Sequence, residues 1–127
     1  MTKLNTPLLL ISGAMLFAAP WIIDQAPYES TMGLVQKIFY FHMPAAWLFL
    51  GAALVCGVQS VRFLFFKKRS ADSWAVAGAE LALVFGAITL VTGPLWARKA
   101  WGVWWVWDPR LTSSLLLWMI FAAYVLL

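Results

Sequence analysis

Histidine and cysteine are almost absent from this 127-residue chain, which holds one of each. A single cysteine, Cys56, excludes an internal disulfide. It lies in an apolar run, where a thiol behaves as a small hydrophobe. No Cys-x-x-Cys-His is present, so covalent c-type haem attachment to this chain is excluded, and zinc-ligand spacings are missing too. One histidine, one cysteine and five scattered acids cannot be assembled into a nucleophile–base pair or a metal cluster, so the chain is not expected to be an enzyme. Charge is scarce as well, at 11% of residues. The net charge of +4 comes from lysines and arginines spread over short connections, without the basic face that nucleic-acid binding needs.

What the chain has is apolar length. Hydrophobic residues make up 64% of it, with a mean hydropathy of +0.85, outside the range of ordinary soluble domains. Four apolar segments cover about residues 7–23, 44–66, 74–95 and 111–127. A spanning helix needs about 20 such residues, so the expected fold is an all-α polytopic membrane protein, one membrane domain with about four transmembrane helices. The first segment follows Lys3 and precedes Ala18-Ala19-Pro20, as in a signal peptide. Its apolar character continues through Trp21-Ile22-Ile23, which favours an uncleaved anchor. The last segment ends at Tyr124-Val125-Leu126-Leu127 with no polar cap, leaving its final carbonyls at membrane depth. The chain is therefore expected to be the front portion of a longer protein.

Arg62, Lys67, Lys68 and Arg69 crowd the connection between the second and third segments, which is expected to stay cytoplasmic. Loops 24–43 and 96–110 then face outward. Within the bilayer, Gly78, Ala82 and Gly86 repeat at intervals of four, as do Ala53 and Gly57, and small residues so spaced let helix backbones approach closely. Glu80 lies inside the third segment and is expected to bond a neighbouring helix in its protonated form.

The outer loop 96–110 carries the most information. Trp101 to Thr112 reads WGVWWVWDPRLT, with Trp96 just upstream and Arg98, Lys99, Asp108 and Arg110 nearby. An aromatic belt at a membrane boundary needs only one or two such rings per helix end. Five close together suit a surface for a flat, apolar ligand. Asp108 and Pro109 also form a helix start, as N-cap and first helical residue. An Arg at a helix N-terminus attracts carboxylates, which makes Arg110, Lys99 and Arg98 candidate partners for haem propionates. His42 is preceded by Leu34, Val35, Ile38 and Phe39 at helical spacing, predicting a short amphipathic surface helix that leads into the second span. Pro44 should start that span or kink it. His42 then shares the outer face with the tryptophans, and imidazole is a standard ligand of haem iron. The adjacent Met43 is read as packing.

These residues carry a family resemblance. The Trp101–Thr112 segment resembles the tryptophan-rich "WWD" signature of proteins that handle haem during c-type cytochrome maturation. With Pro-Arg-Leu-Thr-Ser after Asp108, it is similar to the cytochrome c maturation protein C (haem exporter protein C) family. Gln36 to Trp47 is similar to that family's first-histidine segment, and Val91-Thr92-Gly93 with Trp96 also fits. The resemblance implies a six-helix bacterial inner-membrane protein that binds haem b non-covalently at its periplasmic face. It implies transfer to a periplasmic haem chaperone, with an ABC transporter of the maturation system driving release of the loaded chaperone. His42 matches the first axial histidine, and Trp101, Gly102, Trp104, Trp105, Trp107 and Asp108 match the WWD motif. No histidine follows Thr112, so this chain supplies one of the two axial ligands the resemblance implies. Two other readings compete with it. A small transporter subunit could bind another flat or cationic ligand by stacking, and an assembly subunit could use the tryptophans to dock a protein.

Overall fold

The computed structural model describes residues 5–127, and among them it holds four α-helices and no sheet. They are α1 (Thr6–Gln25), α2 (Lys37–Phe66), α3 (Arg69–Trp101) and α4 (Pro109–Leu126), with a 3-10 turn at Leu34–Gln36 before α2. Each α-helix is long and apolar enough to cross a membrane. At about 1.5 Å per residue, α2 and α3 reach roughly 45 and 50 Å, well beyond a hydrocarbon layer of about 30 Å.

That length corrects two expectations. No separate surface helix precedes the second span, because the 3-10 turn runs directly into α2, which continues through Pro44. Residues 96–101 are not loop either: α3 passes through Pro94 and ends at Trp101. A proline removes one intrahelical bond, but a helix packed against neighbours tolerates the gap. The connection between α3 and α4 is residues 102–108, and it starts at Gly102, whose φ of 77° is a left-handed conformation suited to glycine.

The core is the α2–α3 crossing, with α4 packed on α3. Gly78, Ala79, Ala82 and Gly86 bury their side of α3. A Cβ on Gly78 would lie 2.9 Å from the Cys56 backbone nitrogen and 3.0 Å from the Ala52 carbonyl oxygen, so this is where the two backbones touch. The facing stripe on α2 is Phe49, Ala52 and Cys56, not the expected Ala53 and Gly57. Ala53 packs at the edge of the core, while Gly57 is exposed. α4 is fixed by the Trp118 indole, which donates to the Leu83 carbonyl at 2.9 Å. The hydrogen bond expected from Glu80 to a neighbouring helix is not made among the described residues, and Glu80 is exposed. α1 buries no residue. Its C-terminal end is held by Lys37, which donates to the Asp24 carbonyl at 2.5 Å, pairs with its carboxylate at 3.4 Å and lies 4.5 Å over the Tyr28 ring.

Candidate functional site

The N-terminal part of α2, the C-terminal part of α3, the 102–108 loop and the start of α4 surround a side-open hollow of about 370 Å³. His42, Trp96, Trp101, Trp104, Trp105 and Arg110 line it. Its wall is predominantly apolar, as in sites that take largely apolar ligands with a few placed polar groups.

His42 is oriented by α3. Its Nδ1 is 2.9 Å from the Thr92 hydroxyl oxygen. The single hydroxyl proton of Thr92 goes to the Ile88 carbonyl at 2.7 Å, so the oxygen accepts and His42 Nδ1–H donates. A neutral imidazole with its proton on Nδ1 keeps a lone pair on Nε2. Among the described residues Nε2 has no hydrogen bond. A hydrogen bond of this kind to the far ring nitrogen fixes tautomer and ring direction in metal-ligating histidines. Gly93 completes it: a Cβ there would stand 3.2 Å from His42 Cε1.

The aromatic wall consists of two ring groups. Trp96 and Trp101 meet edge to face with centroids 5.7 Å apart, and Phe39 lies 6.3 Å from Trp96. Trp105 packs edge to face on Trp107 at 5.7 Å. The indole N–H groups of Trp96 and Trp105 are buried without a hydrogen-bond partner among the described residues. Buried donors are normally satisfied, and both of these belong to residues that line the hollow.

Asp108 caps α4 as expected, its Oδ1 accepting from the Leu111 backbone N–H at 2.8 Å and its Oδ2 from Arg110 at 2.8 Å. The Leu111 N–H first, then the Arg110 guanidinium, hold its carboxyl below the usual carboxylate range. The Arg110 guanidinium lies 5.8 Å from the Trp101 ring centroid, at the rim of the hollow.

Of the sequence candidates, the hollow thus gathers His42, Trp101, Trp104, Trp105 and Arg110, while Gly102, Trp107 and Asp108 lie outside its lining. Trp107 is 75% exposed. Arg98 is occupied with the Gly102 carbonyl, and Lys99 is exposed and does not line the hollow. Met43, read as packing, faces the hollow. Thr92 and Gly93 had appeared only as part of a resemblance; their contact with a histidine fifty positions away has no local signature.

Comparison with known proteins decides the kinship. The profile of the "Heme exporter protein C" family matches residues 1–127. The chain belongs to the haem exporter protein C family. The family member of Rhodobacter capsulatus is 35% identical over 107 residues, covering 84% of this chain and 44% of that protein. The Escherichia coli member is 34% identical over 123 residues, 95% of this chain and 50% of that protein. A ccmC-like mitochondrial protein of Marchantia polymorpha, whose name places it in cytochrome c biosynthesis, is 34% identical over 111 residues, 87% of this chain and 47% of its own length. The chain spans about half the length of the curated relatives it matches. All residues of the hollow fall within the part matched by the haem exporter protein C profile.

Proposed function

We propose that this chain handles haem b for c-type cytochrome biogenesis, holding it non-covalently at the outer boundary of the bacterial inner membrane for transfer to a periplasmic haem chaperone. Haem is cargo here, and the donor set fits it. His42 Nε2 offers a neutral imidazole to iron, Trp101, Trp104 and Trp105 give the porphyrin an apolar wall, and Arg110 at the rim meets a propionate. The observation that carries this reading is the Thr92-held tautomer, which leaves His42 Nε2 free in a tryptophan-walled hollow.

The role is one of carriage, not catalysis. In the proposed orientation the connection carrying Arg62, Lys67, Lys68 and Arg69 lies in the cytoplasm and loop 102–108 in the periplasm. Trp107, exposed beside the hollow, is then available to the chaperone, and the ABC transporter of the maturation system drives release of the loaded partner.

The test is an absorption titration of the detergent-purified chain with haem, beside His42→Ala. A Soret band that weakens or shifts in the variant is the expected result. Identical spectra for both proteins at saturating haem would sink His42 as the ligand and leave the tryptophan wall to another guest.

A further inference from the structure

We propose that the opposite end of the bundle holds the headgroup of an anionic phospholipid. α2 ends and α3 begins through a two-residue turn, Lys67-Lys68, in which Lys67 takes a left-handed φ of 51° and its N–H closes α2 on the Phe63 carbonyl at 2.8 Å. Beneath this turn lies a second hollow of about 360 Å³, lined by Gln59, Arg62, Phe66, Lys68, Ser70 and Trp74 among others. Between residues 59 and 74 the chain carries four cations, Arg62, Lys67, Lys68 and Arg69, and one acid, Asp72.

None of the four cations forms an ion pair among the described residues. Arg62 has only a long bond to Gln59 Oε1, at 3.4 Å, and Lys67 lies over the Phe63 ring at 5.6 Å. Gln59, its carbonyl oxygen so engaged, keeps its amide N–H groups for a ligand, and Ser70 adds a hydroxyl. The hollow therefore presents unpaired guanidinium and ammonium groups with neutral donors, the chemistry that recognises a phosphodiester.

Its walls and position choose the source of that phosphodiester. Phe66 and Trp74 flank it, 68% and 63% exposed, and both belong to membrane-spanning helices at their boundary. An aqueous phosphate would have no use for these apolar flanks, whereas the glycerol and first acyl carbons of a phospholipid lie against them. Basic hollows between spanning helices recognise acidic headgroups in this way.

The chain in neutral detergent is titrated with dioleoyl phosphatidylglycerol, with dioleoyl phosphatidylcholine and with soluble glycerol phosphate, and adducts are counted by native mass spectrometry. Phosphatidylglycerol should bind in preference to phosphatidylcholine. The R62Q/K68Q variant should weaken it by roughly fivefold for each cation removed, while the charge-keeping R62K/K68R should retain it. Should the double glutamine variant lose its helical circular dichroism, K68Q alone decides, with a loss of roughly fivefold. Equal binding of the two lipids, or unchanged phosphatidylglycerol binding in the glutamine variants, overturns the proposal. Displacement of the lipid by glycerol phosphate at comparable concentration also overturns it, in favour of a site for water-soluble anions.

Discussion

Replacing Thr92 by valine removes one oxygen from the site and almost no volume, which makes it a sharp test of how His42 is held. In the native chain the Thr92 oxygen accepts from His42 Nδ1–H at 2.9 Å while donating to Ile88. Valine leaves that N–H without an acceptor in a half-buried position, a loss of about 1–3 kcal/mol if the ring stays in place. The ring relieves this by turning toward water or by moving its proton to Nε2, and either change takes the lone pair away from the hollow. Loss of such an outer partner typically weakens metal binding by about 10–100-fold, or roughly 1.4–2.7 kcal/mol, which agrees with the hydrogen-bond figure. Haem titration followed at the Soret band should therefore show Thr92→Val binding on the order of tenfold or more weaker, with helical circular dichroism unchanged. Thr92→Ser, which keeps the hydroxyl, should stay close to the native affinity. Native affinity in the valine variant would refute the orienting role. A serine variant as weak as valine would show that the methyl group, through packing, is what matters.

Three further outcomes follow from the same geometry. Gly93→Ala should weaken haem binding severalfold with little effect on helicity, because its Cβ would stand 3.2 Å from His42 Cε1 and push the ring off its direction; Soret titration reads this directly. Gly78→Ala should lower thermal stability in detergent by about 1–3 kcal/mol, since its Cβ would meet Cys56 and Ala52 backbone atoms at 2.9 and 3.0 Å and backbone cannot turn aside; an unchanged melting curve would mean that the α2–α3 crossing is looser than described. Asp108 has a folded pKa below its unfolded value, so its contribution to stability is complete above the ordinary carboxylate pKa and is lost as pH falls through the lowered one. Asp108→Asn keeps a capping side chain but releases Arg110, so acid melts of α4 helicity should lose that pH-dependent step while the helix start survives.

Much of this architecture was legible because the bilayer makes long apolar runs unambiguous, and because caps are written locally. Asp108, Pro109 and the bond to Leu111 follow from three neighbouring residues. Continuity through Pro44 was not legible, nor was the extension of α3 beyond residue 95. Pro44 and Pro94 mark breaks in an isolated helix, yet here tertiary packing keeps both helices whole and carries His42 and Trp96 on rigid elements. The choice of contact stripe on α2 also escaped local reading, since Ala52 and Ala53 are equally small and only the helix rotation set by Phe49 and Cys56 separates them. The tryptophans were legible as a cluster, but not which of them face inward: Trp105 turns its N–H into the buried wall while Trp107, two positions on, stays outside.

That last distinction bears on why the chain spends so much aromatic surface at one end. An aromatic belt keeps its polar edges wet, so indole N–H groups at a boundary ordinarily find water or headgroups. Here the opposite holds for Trp96 and Trp105, whose donors are withdrawn from solvent and left without partners in a hollow that also contains an oriented imidazole. An unsatisfied buried donor costs about 1–3 kcal/mol, so these two indoles mark the wall as more than a boundary belt. The walls of the hollow are held from behind by Thr92 and Gly93 against His42 and by the capped start of α4. The haem carriage proposed above would draw on this rigid frame, because a cargo that is both accepted and surrendered has to find the walls already in place.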